Sequence, residues 1–211
     1  MAKKTYFNIG ILILVLGVIL LINIPYLNLF LAFLVISIVT FSNLSLDDEN
    51  IFSNKTTHIK LLTVSIIYAI LIVAITHSIL KPLIEWITNT PIEYGIFDSV
   101  KGNIRLLTYN LIVGWFIGGL LEETIFRGYL IRTIKNFYPH KTGIVISVVF
   151  SSFLFGFLHS YQGISGQILA GIIGILLAVI YLTNNKNLWL NIYIHGLVNT
   201  FSLLLLYFQI V

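Results

Sequence analysis

Leu120-Leu121-Glu122-Glu123-Thr124-Ile125-Phe126-Arg127-Gly128-Tyr129 sets two adjacent carboxylates and a guanidinium inside an apolar run. The whole chain is only 9% charged and 58% hydrophobic. A charge at membrane depth costs roughly 2.5–3.5 kcal/mol on insertion scales, so each one needs a partner or a task. Helix geometry sorts the three groups. Glu123 and Arg127 are i and i+4, share a face and can pair. Glu122 lies about 140° around the helix from Arg127, at about 100° per residue. The spacing predicts a Glu123–Arg127 clamp, with Glu122 turned elsewhere as a free carboxyl.

Composition places this stretch in a membrane. A mean hydropathy of +0.98 over 211 residues excludes an ordinary soluble domain and indicates a polytopic membrane protein. The chain has no cysteine, which removes disulfides, thiolate metal sites and a thiol nucleophile. Its 12 Lys and Arg are scattered at segment ends, so positive-inside topology explains the basic balance better than nucleic acid does.

Apolar runs predict helices at about 6–23, 28–44, 61–80, 104–137, 142–160, 166–183 and 189–210. The expected fold is all-α: a polytopic transmembrane bundle of about seven or eight helices. Residues 1–103 are expected to form N-terminal helices and an interfacial segment, and 104–211 a catalytic core, in one membrane-embedded unit. Lys3-Lys4 before the first apolar run looks like a signal peptide, but no small-x-small site follows, so a retained span is expected. Pro25 predicts a tight hairpin between the first two runs, and Asp47-Asp48-Glu49-Asn50 a solvated loop. Lys81-Pro82 is expected to end the third run. The stretch 81–103, with Pro91, Gly95 and several aromatics, reads as interfacial or re-entrant, capping a cavity.

The run 104–137 would be about 50 Å long against a hydrocarbon core of about 30 Å, so it must protrude or bend near Gly118-Gly119. Gly114 and Gly118 form a GxxxG pair, and Gly166, Ala170, Gly174 and Ala178 a row at i+4 spacing; both predict close helix packing. Placing the N-terminus in the cytoplasm puts Lys3, Lys4, Lys55, Lys60, Arg132, Lys135, Lys141 and Lys186 inside, against Lys81, Lys101 and Arg105 outside. The bias to Ile, Asn and Lys points to a low-GC bacterium, hence its plasma membrane.

Other polar residues interrupt the apolar helices. His77 alone has the ordinary reading of a bond to a neighbouring carbonyl. His159 closes Phe155-Gly156-Phe157-Leu158-His159, and His195 and Asn199 are i and i+4. Glu122 is 18 residues before His140, and His159 is 18 after Lys141; an antiparallel hairpin then puts the two at equal depth. The same counting leaves His195 up to roughly 15 Å off that level unless its helix tilts or a turn is buried.

Two mechanisms fit these groups. In one, Glu122 and His159 activate water while His195 and Asn199 donate to a developing oxyanion. In the other, Glu122, His159 and His195 bind Zn²⁺, whose water is the nucleophile. HExxH, GxGD and GxSx patterns with a partnered His are absent, as is any phosphate cradle.

Glu-Glu-x-x-x-Arg (122–127), Phe-x-x-x-His (155–159) and His-x-x-x-Asn (195–199) resemble, in order and spacing, the three motifs of the CPBP family. This family comprises CAAX prenyl endopeptidases and bacteriocin-processing membrane proteins, and is also called Abi. The resemblance covers about residues 104–205. It implies an intramembrane endopeptidase with water activation at Glu122 and His159 and an oxyanion site at His195 and Asn199. Either a metal-free or a Zn²⁺ mechanism is compatible with it; Asn199, a poor Zn²⁺ ligand, favours the metal-free one. The expected partners are the lipid bilayer and an apolar or lipidated peptide, with no nucleic acid. The competing readings are an immunity protein that captures a membrane-active peptide without cutting it, and a proton-linked transporter, whose inverted repeats are not found.

Overall fold

In a computed structural model the described residues are 2–22, 24, 26–41, 52, 56–138 and 140–210. Among them the chain is all-helical, with seven helices: α1 (Ala2–Leu21), α2 (Leu27–Phe41), α3 (His58–Thr88), α4 (Ile104–Phe137), α5 (His140–Leu158), α6 (Gly163–Thr183) and α7 (Leu188–Tyr207). Helices α3 to α7 are long and apolar enough to cross a membrane; α1 and α2 are shorter apolar helices. Pro25, Lys55 and the Asp47–Asn50 loop fall outside the described residues.

Successive helices run up and down. One end of the bundle gathers the Tyr26 turn, the 89–103 segment and the 159–162 turn. There Glu93 N–H donates to Gln162 O (3.1 Å) and Gly102 N–H to Tyr207 O (3.2 Å). The opposite end gathers the end of α4, the 184–187 turn and the start of α3, where Trp189 Nε1 donates to Phe52 O (3.1 Å). The main core joins α1 and α2 (Val15, Ile19, Ile36) to α4 and α7 (Leu121, Ile125, Leu188). The N-terminal helices therefore pack directly on the segment carrying the polar motifs.

Two helices depart from the expected form. Helix α3 does not stop at Lys81-Pro82 but continues to Thr88 through one wide π-type turn, Thr76–Leu80. The Lys81 N–H reaches back to Thr76 O, and the opened turn absorbs the proline ring, which would otherwise clash with the carbonyl four residues before it. Asn89 in the left-handed region (φ 51°) ends the helix. The segment beyond it is tied down by Ile92 N–H donating to Glu85 Oε1 (2.9 Å) and by the Ser165 hydroxyl donating to Thr90 O (2.7 Å). Helix α4 is continuous, but from Gly114 to Ile131 it is wound almost entirely as π-helix, far longer than the single-turn π-bulges usual in helices.

Small residues set the spacing of α4 against α7. A Cβ on Gly114 would lie 3.3 Å from Asn199 Cβ, and one on Gly119 would lie 3.2 Å from Ile192 O. A Cβ on Gly118 would collide with Asn199 Nδ2 and sit 3.4 Å from His195 Nε2. The GxxxG pair thus lets the two motif-bearing helices touch. On α6, Gly174 faces Ser152 of α5, with 3.2 Å from an added Cβ to Ser152 Cα.

Candidate active site

The site is built around Glu123. Its side chain is fully buried, and Arg127 Nη1 donates to its Oε1 at 2.8 Å. This is the i,i+4 pair expected on one helix face, held despite the wider winding. The guanidinium, 1% exposed, also donates from Nη2 to Gly174 O (3.2 Å) and lies 4.7 Å from the centre of the Phe155 ring. Two further donors from α7 converge on the same carboxylate. Asn191 Nδ2 reaches Oε2 at 3.3 Å, and His195 Nδ1 reaches Oε1 at 2.8 Å. A buried carboxylate with three donors is well compensated.

Glu123 thereby fixes His195. The carboxylate accepts, so Nδ1 carries the hydrogen and Nε2 is turned to the other side. There Nε2 stands 3.9 Å from Glu122 Oε2. Glu122 is the exposed member of the acidic pair, with a side chain 13% accessible on the cavity wall. His195 therefore sits between the two carboxylates, one structural and buried, the other facing open space.

His159 ends α5, where Nδ1–H donates to Phe155 O at 2.7 Å. A carbonyl can only accept, so in the neutral ring Nε2 keeps its lone pair. Phe155 separates the imidazoles, its ring centre 4.7 Å from that of His159 and 5.9 Å from that of His195. Asn199 Nδ2 donates one hydrogen to Gly114 O (3.1 Å), which leaves its second.

Glu122, His159, His195 and Asn199 all line one cavity of about 240 Å³. The distances differ from the expected ones in an instructive way. His195, expected to be off level, is the histidine next to Glu122. No hydrogen bond or ion pair joins Glu122 to His159, although both face the cavity. Equal counting assumed equal rise and level turns. The π-winding of 114–131 puts more residues into each turn, so it shortens α4 between Glu122 and its end at Phe137. A helix of 34 residues beside one of 20 also cannot have both ends level.

The cavity recruits residues that composition alone marked as generic. Tyr26, Thr76, His77, Tyr94 and Phe97, all N-terminal to α4, contribute to its walls. Burial first, then the nearby Tyr109 hydroxyl and Glu122, hold the Tyr26 hydroxyl above its ordinary range. The segment 89–103 does form part of the cavity wall, through Tyr94 and Phe97. Asn191 also escaped the sequence reading. It falls at i−4 from His195, on the same face, and that spacing was the available signal. His77 does not bond a neighbouring carbonyl: its Nδ1 is buried without a partner among the described residues.

The donor types at Glu122, His159 and His195 suit Zn²⁺. Their arrangement does not: among the described residues no three His, Asp or Glu side chains converge as a ligand set.

Residues 104–201 match the family model described as Rce1-like, type II CAAX prenyl endopeptidase. No curated protein and no solved structure matches the chain. The matched segment contains Glu122, Glu123, Arg127, His159, His195 and Asn199, and four of these, Glu122, His159, His195 and Asn199, line the cavity. Through this segment the chain, whose five long apolar helices mark it as an integral membrane protein, is similar to the Rce1-like type II CAAX prenyl endopeptidases.

Proposed function

We propose that the protein hydrolyses a peptide bond of an apolar or lipidated peptide inside the membrane, using water activated at Glu122. One observation carries this reading. Glu122 is a cavity-facing carboxylate beside an imidazole whose far nitrogen is anchored to a second, buried carboxylate.

The step is derived from the chain's own groups. Glu122 takes a proton from water, while His159 Nε2 accepts a hydrogen bond from the O–H that remains. The hydroxide adds to the carbonyl carbon, and the oxyanion is met by the free Asn199 N–H and by His195 Nε2–H. For His195 to donate from Nε2 it must carry both ring protons. On collapse the C–N bond breaks, and Glu122 returns its proton to the leaving amine. Oriented donors of this kind contribute most of the stabilisation in acyl transfer.

The test is cleavage of a quenched-fluorescent farnesylated peptide by purified protein in lipid nanodiscs, comparing wild type with Glu122→Ala. Equal rates would remove Glu122 from the mechanism. Protection of cells against a membrane-active peptide that survives both Glu122→Gln and His159→Ala would favour capture without cleavage.

A further inference from the structure

Thr76 and His77 form the wide turn of α3 and line the cavity, yet they lie outside the matched segment. Thr76 is 7% exposed, and its hydroxyl has no hydrogen-bond partner among the described residues. That is unusual in this chain. The hydroxyls of Thr63, Thr108, Thr124 and Thr200 each donate to the carbonyl four residues earlier. At Thr76 that carbonyl, Ile72 O, accepts only the backbone N–H. The neighbouring His77 Nδ1 is buried and unpartnered as well. Two adjacent polar atoms are thus enclosed without a partner on residues that line the cavity, and a small turn of either side chain would offer them to a molecule that enters it.

Their chemistry narrows the ligand. A hydroxyl and an imidazole each offer both a donor and an acceptor. The surrounding wall supplies Val113, Ile173, Leu203 and Leu206. A peptide entering such a cavity buries its side chains against these residues but brings main-chain N–H and C=O groups that no water will satisfy. We propose that Thr76 and His77 form a peptide-binding subsite that hydrogen-bonds the main-chain amide of a substrate residue flanking the scissile bond. This rests on the peptide-substrate reading above, but not on catalysis.

The experiment uses full-length protein carrying Glu122→Gln in nanodiscs and measures the Kd of a fluorescent farnesylated peptide. Adding Thr76→Val should raise Kd about 3- to 10-fold, the loss of one net hydrogen bond. Thr76→Ser should restore binding, and His77→Leu should weaken it to a similar degree. Because the hydroxyl has no partner among the described residues, Thr76→Val should leave the thermal midpoint equal or higher. An unchanged Kd would overturn the proposal. So would a weaker Kd accompanied by a lowered midpoint. If Glu122-intact protein binds the peptide but never cuts it, the peptidase reading fails while the Kd comparison still decides the subsite. A parent protein that does not bind the peptide at all overturns both.

Discussion

At the residue scale the two neighbouring glutamates differ because of what reaches them. Glu123 takes three donors and has no exposed surface, whereas Glu122 keeps an accessible edge, with His195 Nε2 3.9 Å away. Their substitutions should fail differently. Glu122→Gln should lower kcat by about 10²- to 10⁴-fold, the usual worth of a general base, with an unchanged melting profile. Glu123→Gln leaves the buried Arg127 guanidinium without its counter-charge, which should cost about 3–5 kcal/mol. The measurement is the thermal midpoint in detergent, and a Glu123→Gln protein as stable as wild type would contradict the clamp. Because the side chains do not form a three-ligand set, dialysis against a strong chelator should leave the cleavage rate within about twofold, and a large loss restored by Zn²⁺ would show that a metal takes part.

At the scale of elements, the chemistry depends on how closely α4 and α7 approach. Gly118 faces Asn199 and His195, and its missing Cβ is the space those side chains occupy. Gly118→Ala should push both away from Glu122. We expect a loss of at least about 10²-fold in kcat, since displacements of about 1 Å have that effect in positioned sites. Gly17→Ala in α1 is the control, because nothing lies within 4 Å of an added Cβ there, and it should be neutral. Comparing kcat and thermal midpoint for both variants checks this. Equal activity of Gly118→Ala and wild type would show that the π-wound stretch tolerates wider spacing.

At the scale of the molecule, the cavity belongs to one end of the bundle. Its lining comes from the end that holds Tyr26, Tyr94, Phe97, His159, Tyr161 and Gln162, opposite the end of α4 and the 184–187 turn. If the N-terminus lies in the cytoplasm, as lysine and arginine counting leads one to expect, the start of α5 lies there too. The cavity should then open toward the external face. The absence of native cysteine makes this directly measurable. Ser99→Cys, on the cavity side, should react with an impermeant maleimide in intact cells. Thr142→Cys, at the other end, should react only after lysis. The reverse pattern would invert the orientation and assign processing to the cytoplasmic face.

Composition and run length were enough for the helical membrane architecture, because apolar runs of about 20 residues match a membrane-spanning helix and exceed a barrel strand. The Glu123–Arg127 pair was also legible, since i and i+4 share a face whatever surrounds them. The spacing within Glu122–Arg127, Phe155–His159 and His195–Asn199 sufficed to nominate the polar set. Depth was not legible: it depends on rise per residue and on turn levels, and the π-winding of Gly114–Ile131 altered both in a way no residue pattern announces. Which histidine stands beside Glu122, the arrival of Asn191 at Glu123, and the open hydroxyl of Thr76 were decided by packing between helices far apart in sequence. Local pattern fixes which face of a helix a residue occupies; only contact between helices fixes what that face meets.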